Sequence, residues 1–422
     1  MRAEVITVGS ELLQGLITNR NLDLIARHLA RIGVEVVFHT TVGDDSERMC
    51  EAFRAAVHRA RVVVITGGLG PTPDDITRKT IATVFRRRLV LDEAVLEQIR
   101  ARFRARGIEM PAMNEAQALI PRGARVIENL RGTAPGLHFA HQEADVFALP
   151  GVSAEADQMM TAYVLPFLRA LPEPVHLERR MVRTIGLAES VLAERLAGFG
   201  VEEPDVRLAY LPQTTGVALC LTASSPDAAW LGALLDRCEA KLRERAGGHA
   251  YGGESDTLSS VVGRLLAERR LTLVTAESLS GGSVGAAITS TPGSSAYYLG
   301  GIVAYADAAK EALLGVGAET LRLHGAVSAE TAEAMASGVR SRFGADLAVS
   351  TTGIAGPDGG SAEKPTGLVY IGIATGETSR AERHQFPGTR EEVVARTTSY
   401  ALDLVRRHLI AETAWSGRSS RS

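Results

Sequence analysis

Two parts of the sequence gather residue types suited to chemistry on phosphate and amide groups. The first is the run TGGLGPTPDD, Thr66 to Asp75. Gly67, Gly68 and Gly70 allow close backbone approach, and open N–H groups in such a turn cradle phosphate oxygens. Asp74 and Asp75 repel phosphate unless a divalent cation lies between, which is how a metal is recruited to a pyrophosphate. An ordinary tight turn is the competing reading. The second part is split over AESLSGG (276–282), PGSSAYYLGGIVAYADAAK (292–310) and TTGIAGPDGGSAEKPTG (351–367). Serine, lysine and tyrosine are plentiful there and histidine is scarce. Amide hydrolysis needs an activated nucleophile, an oxyanion site and a proton for the leaving ammonia.

Lysine usage sharpens the second site. Of 46 basic residues only Lys79, Lys241, Lys310 and Lys364 are lysines. Arginine serves wherever a fixed positive charge suffices, but it does not give up its proton. A lysine can act as a base where burial favours the neutral amine. Lys310 lies among small apolar residues, AYADAAKEALLG, and Tyr305 five positions earlier is placed to relay a proton. A solvated helix lysine is the alternative. The three cysteines, Cys50, Cys220 and Cys238, all precede this region, so a thiol nucleophile is excluded from it. His324 keeps a Ser–His pairing open. The glycines from Gly356 to Gly360 offer backbone donors for an oxyanion or a phosphate, and Arg390, at a helix start, is placed to clamp a phosphate bidentately.

These residues must be positioned by strand–helix alternation. Glu4–Val8, residues 34–43 and Arg61–Ile65 read as apolar strands, with helices between them from about Asn21 and from Asp45-Ser46. Continuous apolar strands alternating with helices predict parallel sheets covered on both faces. Ligands bind at the carboxyl edge of such sheets. Gly9-Ser10-Glu11 follows the first strand and reaches the same edge as Thr66–Asp75. The expected fold class is α/β: two parallel-sheet α/β domains joined by a small α+β module. The expected boundaries are 1–171, 172–252 for the module, 253–412 for the second α/β domain, and a disordered tail over 413–422. Leu171-Pro172-Glu173-Pro174 reads as a linker, and the module carries no chemical motif.

The full set of segments resembles the CinA (competence/damage-inducible) family. The amino-terminal resemblance rests on the glycine run together with Gly9-Ser10-Glu11, Asn114, Asn129, residues 132–136 and Leu149-Pro150-Gly151-Val152, although Ser153 stands where the family usually has proline. It implies a molybdopterin-binding-like fold and a metal-dependent pyrophosphatase that splits ADP-ribose into AMP and ribose 5-phosphate. Glu11, Asp74 and Asp75 would then hold the metal or activate water, and Gly68, Gly70 and Thr72 would cradle phosphate. A pterin-binding module without hydrolysis is the rival. The carboxy-terminal segments, GIAGPDGG above all, resemble the nicotinamide mononucleotide deamidases, which need no cofactor. That resemblance implies Ser295 as nucleophile, Ser278 and Lys310 completing a Ser–Ser–Lys arrangement, Tyr305 assisting, and Gly356, Gly359, Gly360 and Arg390 binding substrate. Ser294 is chemically equivalent to Ser295. Where the family usually has cysteine and threonine, this chain has Leu279 and Ser280.

The formal net charge of −3 offers no basic field for gripping nucleic acid. No apolar run approaches the roughly 20 residues that span a bilayer. Met1 to Glu4 runs into a strand without a signal-peptide layout. The expectation is a cytoplasmic enzyme, a homodimer by resemblance, acting on small nucleotides without membrane or direct nucleic-acid partners. A non-enzymatic competence or repair factor is the competing class.

Overall fold

The run VVVIT is apolar, β-branched and bounded by charged and glycine residues, which suits a strand buried on both faces. In the computed structural model it forms β3 (Val62–Thr66), every residue of which is buried. The structure describes residues 1–171 and 176–419, with side chains to residue 411. The proline-rich part of the expected linker therefore lies outside the described residues. The chain divides into two compact units, Met1–Glu178 with Ala223–Leu234, and Arg179–Thr222 with Leu235–Ser422.

The first unit contains β1 (Arg2–Val8), β2 (Glu35–Val42), β3, a two-stranded ribbon of β4 (Leu89–Leu91) and β5 (Leu119–Pro121), then β6 (Arg125–Ile127), β7 (Gly136–His141) and β8 (Ala144–Leu149). The six-stranded sheet has the order β2-β1-β3-β8-β7-β6. Its first four strands are parallel, while β7 and β6 run antiparallel. The parallel expectation thus holds for the strands that end at the glycine run and fails at the far edge. Helices α1 (Ser10–Leu13), α2 (Arg20–Ala30), α3 (Ser46–Arg59), α4 (Thr77–Val84), α5 (Glu93–Ala105), α6 (Ser153–Met159) and α7 (Leu165–Arg169) complete the unit. Asn19 caps α2 through Leu22 N–H, and Asp45 caps α3 through Arg48 N–H, as their residue types favour. Separate apolar cores lie on the two faces of the sheet.

The small module is built from β9 (His176–Thr184), α8 (Glu189–Arg195), α9 (Phe199–Glu202), β10 (Arg207–Gln213), β11 (Gly216–Ser225), α10 (Ala228–Ala246) and β12 (Ala250–Gly252), with strand order β10-β11-β9-β12. It is α+β, as expected. Most of it belongs with the second unit rather than standing alone: the buried Arg406 guanidinium donates to Gly248 O at 2.6 Å, and Arg396 Nε to Thr214 O at 3.0 Å. Its acidic turn is matched by basic residues of α10, since Glu203 pairs with Lys241 and Arg237 and Glu202 with Arg245.

The remaining elements are α11 (Leu258–Arg269), β13 (Leu273–Glu277), α12 (Ser283–Thr289), β14 (Tyr298–Val303), α13 (Asp307–Leu314), α14 (Ala318–His324), α15 (Ala329–Phe343), β15 (Leu347–Gly353), β16 (Leu368–Ala374), β17 (Ser379–Gln385) and α16 (Arg390–Ser419). The sheet order is β14-β13-β15-β16-β17. The three site-bearing strands β14, β13 and β15 are parallel, and β16 and β17 are antiparallel additions. Helix α16 continues to Ser419, into the tail expected to be disordered.

Candidate functional sites

At the carboxyl edge of β3 the chain turns through Gly67 (φ 105°) and Gly68 (φ 65°), a backbone path that side chains resist. A Cβ on Gly67 would lie 2.2 Å from Val8 O, so only glycine fits against β1 there. The loop is held from behind. Gly67 N–H donates to Leu149 O, Thr77 N–H to Gly68 O, and Thr77 Oγ1 to Gly67 O. Arg78, buried in α4, donates to the carbonyls of Leu69 and Gly70. Burial pulls its guanidinium down to about 10, with Asp75 acting in the opposite direction. With the carbonyls so engaged, the N–H groups of Gly68, Leu69 and Gly70 have no acceptor among the described residues. That is the chemistry of an anion cradle.

These residues line a cavity of about 400 Å³. Five carboxylates border it, and three are held by the chain itself. Asp44 accepts from Ser10 N–H and Oγ (2.9 and 2.8 Å), and Asp75 accepts from Thr72 N–H and Oγ1. Glu155 accepts from Asn129 Nδ2 at 2.6 Å. Thr72, expected to hold phosphate, has instead turned both donors onto Asp75, because the two lie one tight turn apart. Glu11, Asp74 and Asp75 share the cavity as expected, but among the described residues no three His, Cys, Asp or Glu side chains close on a single point. Hard carboxylate oxygens beside a phosphate cradle suit a cation such as Mg²⁺, which takes one or two carboxylates and draws further ligands from substrate phosphate.

The positioning residues Asp44, Arg78 and Asn21 were missed by the sequence reading. Asn21 Nδ2 donates to Thr66 Oγ1 and Gly151 O, and its Oδ1 accepts from Ser153 Oγ at 2.6 Å. Ser153 therefore gains a buried partner at the position where proline would offer none.

In the second unit Glu277 ends β13, and its buried carboxylate accepts from Ser280 Oγ and from the N–H groups of Gly282, Val284 and Gly285 at 2.7–3.0 Å. The start of α12 is thus filled by a protein anion. Glu277→Gln would aim an amide N–H₂ at these donors. It is expected to cost about 2–4 kcal/mol, read as a lower denaturation midpoint with an unchanged m-value. Leu279 beside it is buried in the apolar core.

Ser278, Tyr305 and Thr352 follow the ends of parallel β13 and β14 and lie near the end of β15, so they meet at one sheet edge. Ser278 N–H donates to Thr351 O, and Ala304 N–H to Glu277 O. Lys310 is 1% exposed, the one buried lysine among the described residues, as its apolar setting predicted. Its Nζ donates to Tyr305 O at 3.0 Å and to Asp307 Oδ1 at 3.2 Å. Arg390 bridges Tyr305 Oη (3.0 Å) and Gly356 O (2.9 Å), so it fastens the Gly356–Gly360 loop to Tyr305 instead of projecting freely. The N–H groups of Gly359 and Gly360 have no acceptor among the described residues. Lys364 of the same segment donates to His324 O and Val327 O and acts as a clamp.

Ser295 does not join this cluster. It precedes β14, whereas Tyr305 and Lys310 follow it, and β14 runs parallel to β13. The strand's five steps span roughly 16 Å, placing Ser294 and Ser295 at the opposite edge from Ser278. The Ser–Ser–Lys arrangement is therefore not assembled within one chain. His324 pairs with Glu330 at 3.4 Å and hydrogen-bonds no serine among the described residues.

Among the described residues no helix is long and apolar enough to cross a membrane. Three family descriptions match in succession: "Probable molybdopterin binding domain" over residues 4–170, "Damage-inducible protein CinA KH domain" over 179–252, and "CinA C-terminal domain" over 255–409. A protein of Symbiobacterium thermophilum named "Putative competence-damage inducible protein" is 43% identical over 422 residues, covering 97% of this chain and 99% of that one. One of the same name from Caldicellulosiruptor bescii is 40% identical over 410 residues, covering 97% and 100%. A crystal structure of the competence damage-inducible protein A from Klebsiella pneumoniae is 38% identical, covers 36% of this chain and 95% of that one, and has a TM-score of 0.36. With relatives aligned over nearly their whole length, the chain belongs to the CinA family and carries that family's molybdopterin-binding-like and CinA carboxy-terminal domains.

Proposed function

We propose that the second unit hydrolyses the carboxamide of nicotinamide mononucleotide to nicotinate mononucleotide and ammonia. The observation that carries this reading is the buried Lys310 amine at the sheet edge that also presents Ser278, Tyr305 and Arg390. Ser278 Oγ attacks the amide carbon as Lys310 Nζ takes the hydroxyl proton. The N–H groups of Gly359 and Gly360, which have no acceptor among the described residues, would stabilise the oxyanion. Lys310 returns the proton to the leaving ammonia, and water then cleaves the acyl-serine ester to release the carboxylate. Incubating the full chain with nicotinamide mononucleotide tests the reading. Equal amounts of ammonia and nicotinate mononucleotide are expected. Absence of both from folded protein sinks it and favours a non-enzymatic accessory role.

A second activity is supported by the unfilled N–H groups of Gly68, Leu69 and Gly70. We propose that the first unit cleaves the pyrophosphate of ADP-ribose to AMP and ribose 5-phosphate. Glu11 and Asp74 would hold a divalent cation that neutralises phosphate charge when bound. The glycine N–H groups hold phosphate oxygens, and Arg78 keeps the loop in shape. Metal-dependent formation of AMP from ADP-ribose tests it, and pterin binding without turnover would favour the rival.

A further inference from the structure

Helix α4 is stopped by a residue poorly suited to stopping one. Arg87 N–H donates to Ala82 O at 2.8 Å and Arg86 N–H to Thr83 O at 3.3 Å, which ends the helix with Arg86 in the left-handed region (φ 50°). That position ordinarily takes glycine, because a Cβ is strained there. The Arg86 side chain is exposed and has no hydrogen-bond or ion-pair partner among the described residues. The carbonyls of Ile81, Ala82 and Thr83 are already taken by backbone N–H groups, so the guanidinium is not needed to cap them.

Two further arginines meet beside it. Leu89 pairs with Pro121 in the β4–β5 ribbon, and one step beyond that pair Arg122 N–H donates to Arg88 O at 2.8 Å. Residues facing each other across an antiparallel pair project from one face, and like charges there repel. Arg88 and Arg122 are both exposed, and neither side chain has a partner among the described residues. Arg87 behaves differently. Its guanidinium turns inward onto Arg122 O and Ala140 O (2.9 and 2.8 Å) and over the Phe139 ring. His141, at the adjoining end of β7, is held below its usual pKa by burial first and then by Arg87 and His58, with no carboxylate acting the other way. The fold thus gathers positive charge here that it does not neutralise and that costs it stability.

We propose that Arg86, Arg88 and Arg122 form a landing surface for a nucleic-acid backbone, held through its phosphates without regard to base sequence. Guanidinium forks match phosphate oxygens. On an exposed surface a lone phosphate gains little over water. A chain of phosphates meets several arginines together and releases counterions at each. Residues 86–91 and 119–122 include no aromatic side chain, so the ribbon gives bases nothing to stack on. The net charge of −3 averages over the whole chain and conceals a local patch of this kind. The patch is separate from the phosphate cavity, since it lies at the other end of α4 from the glycine loop, eight residues or roughly 12 Å along the helix.

The test is fluorescence anisotropy of the full chain with a labelled duplex of about 20 base pairs and mixed sequence, at about 50 and about 200 mM salt. Wild type should bind with a Kd on the order of 1–100 µM at the lower salt and roughly 40-fold more weakly at the higher, as three phosphate contacts require. Arg88→Ser/Arg122→Ser should weaken binding by about tenfold or more at the lower salt. Arg86→Gly separates binding from structure: it should weaken binding severalfold while raising the denaturation midpoint, since glycine suits the left-handed position. Failure of wild type to bind at the lower salt overturns the surface, as does undiminished binding by the double variant with native circular dichroism. A lower denaturation midpoint in Arg86→Gly makes that arginine a structural one and also overturns it. Poly-glutamate of matched charge represents the competing class of partner, and binding as tight as that of the duplex would assign the surface to an acidic protein segment instead.

Discussion

Lys310→Arg is expected to lower amide hydrolysis by about 10²–10⁴-fold, the contribution of a positioned general base, with ADP-ribose cleavage unchanged. The expectation rests on how sparingly lysine is used. Arginine occupies nearly every basic position in the chain. Lys79 is exposed, Lys241 serves ion pairs and Lys364 clamps carbonyls, which leaves Lys310 as the buried one. A guanidinium holds a fixed positive charge near Asp307 and has almost no neutral form at pH 7. Because the site is tight, Lys310→Met serves as the second variant: it keeps much of the length and apolar volume without the amine, and equal inactivity is expected. Ammonia release measured on variants with native circular dichroism decides the matter. Substantial activity in either folded variant refutes lysine as the base.

The second large effect concerns the acidic pair after the glycine loop. Asp74→Asn is expected to lower ADP-ribose turnover by about 100-fold or more and to raise the Mg²⁺ concentration needed for half-maximal rate. Asp75→Asn should also slow turnover, but by loosening Thr72 and the turn, so its Mg²⁺ dependence should stay near that of wild type. Rates measured against Mg²⁺ concentration separate the two. Identical metal profiles for Asp74→Asn and wild type would contradict the placing of Asp74 on the metal.

The parts of the sites legible in the sequence were those set by one strand and the turn after it. Thr66–Asp75 had to emerge at a sheet edge because VVVIT is a buried parallel strand, and Lys310 had to be buried because its neighbours are small and apolar. The residues that brace the loops were not legible, because their partners are distant in the chain. Ser10 meets Asp44, and Asn21 meets Gly151 and Ser153, through folding alone. Glu277 gave no hint that its carboxylate would fill the start of α12. The antiparallel strands β6, β7, β16 and β17 were hidden for a related reason: apolar content marks a strand, but its direction depends on how the connection returns. Ser295 illustrates direction most clearly. It stands ten positions before Tyr305, yet the intervening residues form a strand, so closeness in sequence becomes separation across the sheet.

That separation makes the nucleophile the point on which the account turns. Ser278 is the candidate serine that a single chain brings to the edge holding Tyr305 and Lys310, whereas Ser295 could reach Lys310 only from a second copy. The direct measurement is ammonia release from nicotinamide mononucleotide by full-length Ser278→Ala and Ser295→Ala, with ADP-ribose cleavage as the control for folding. No detectable deamidation is expected from Ser278→Ala, and a rate within a few-fold of wild type from Ser295→Ala. A near-wild-type rate in Ser278→Ala, with Ser295→Ala inactive, would contradict it.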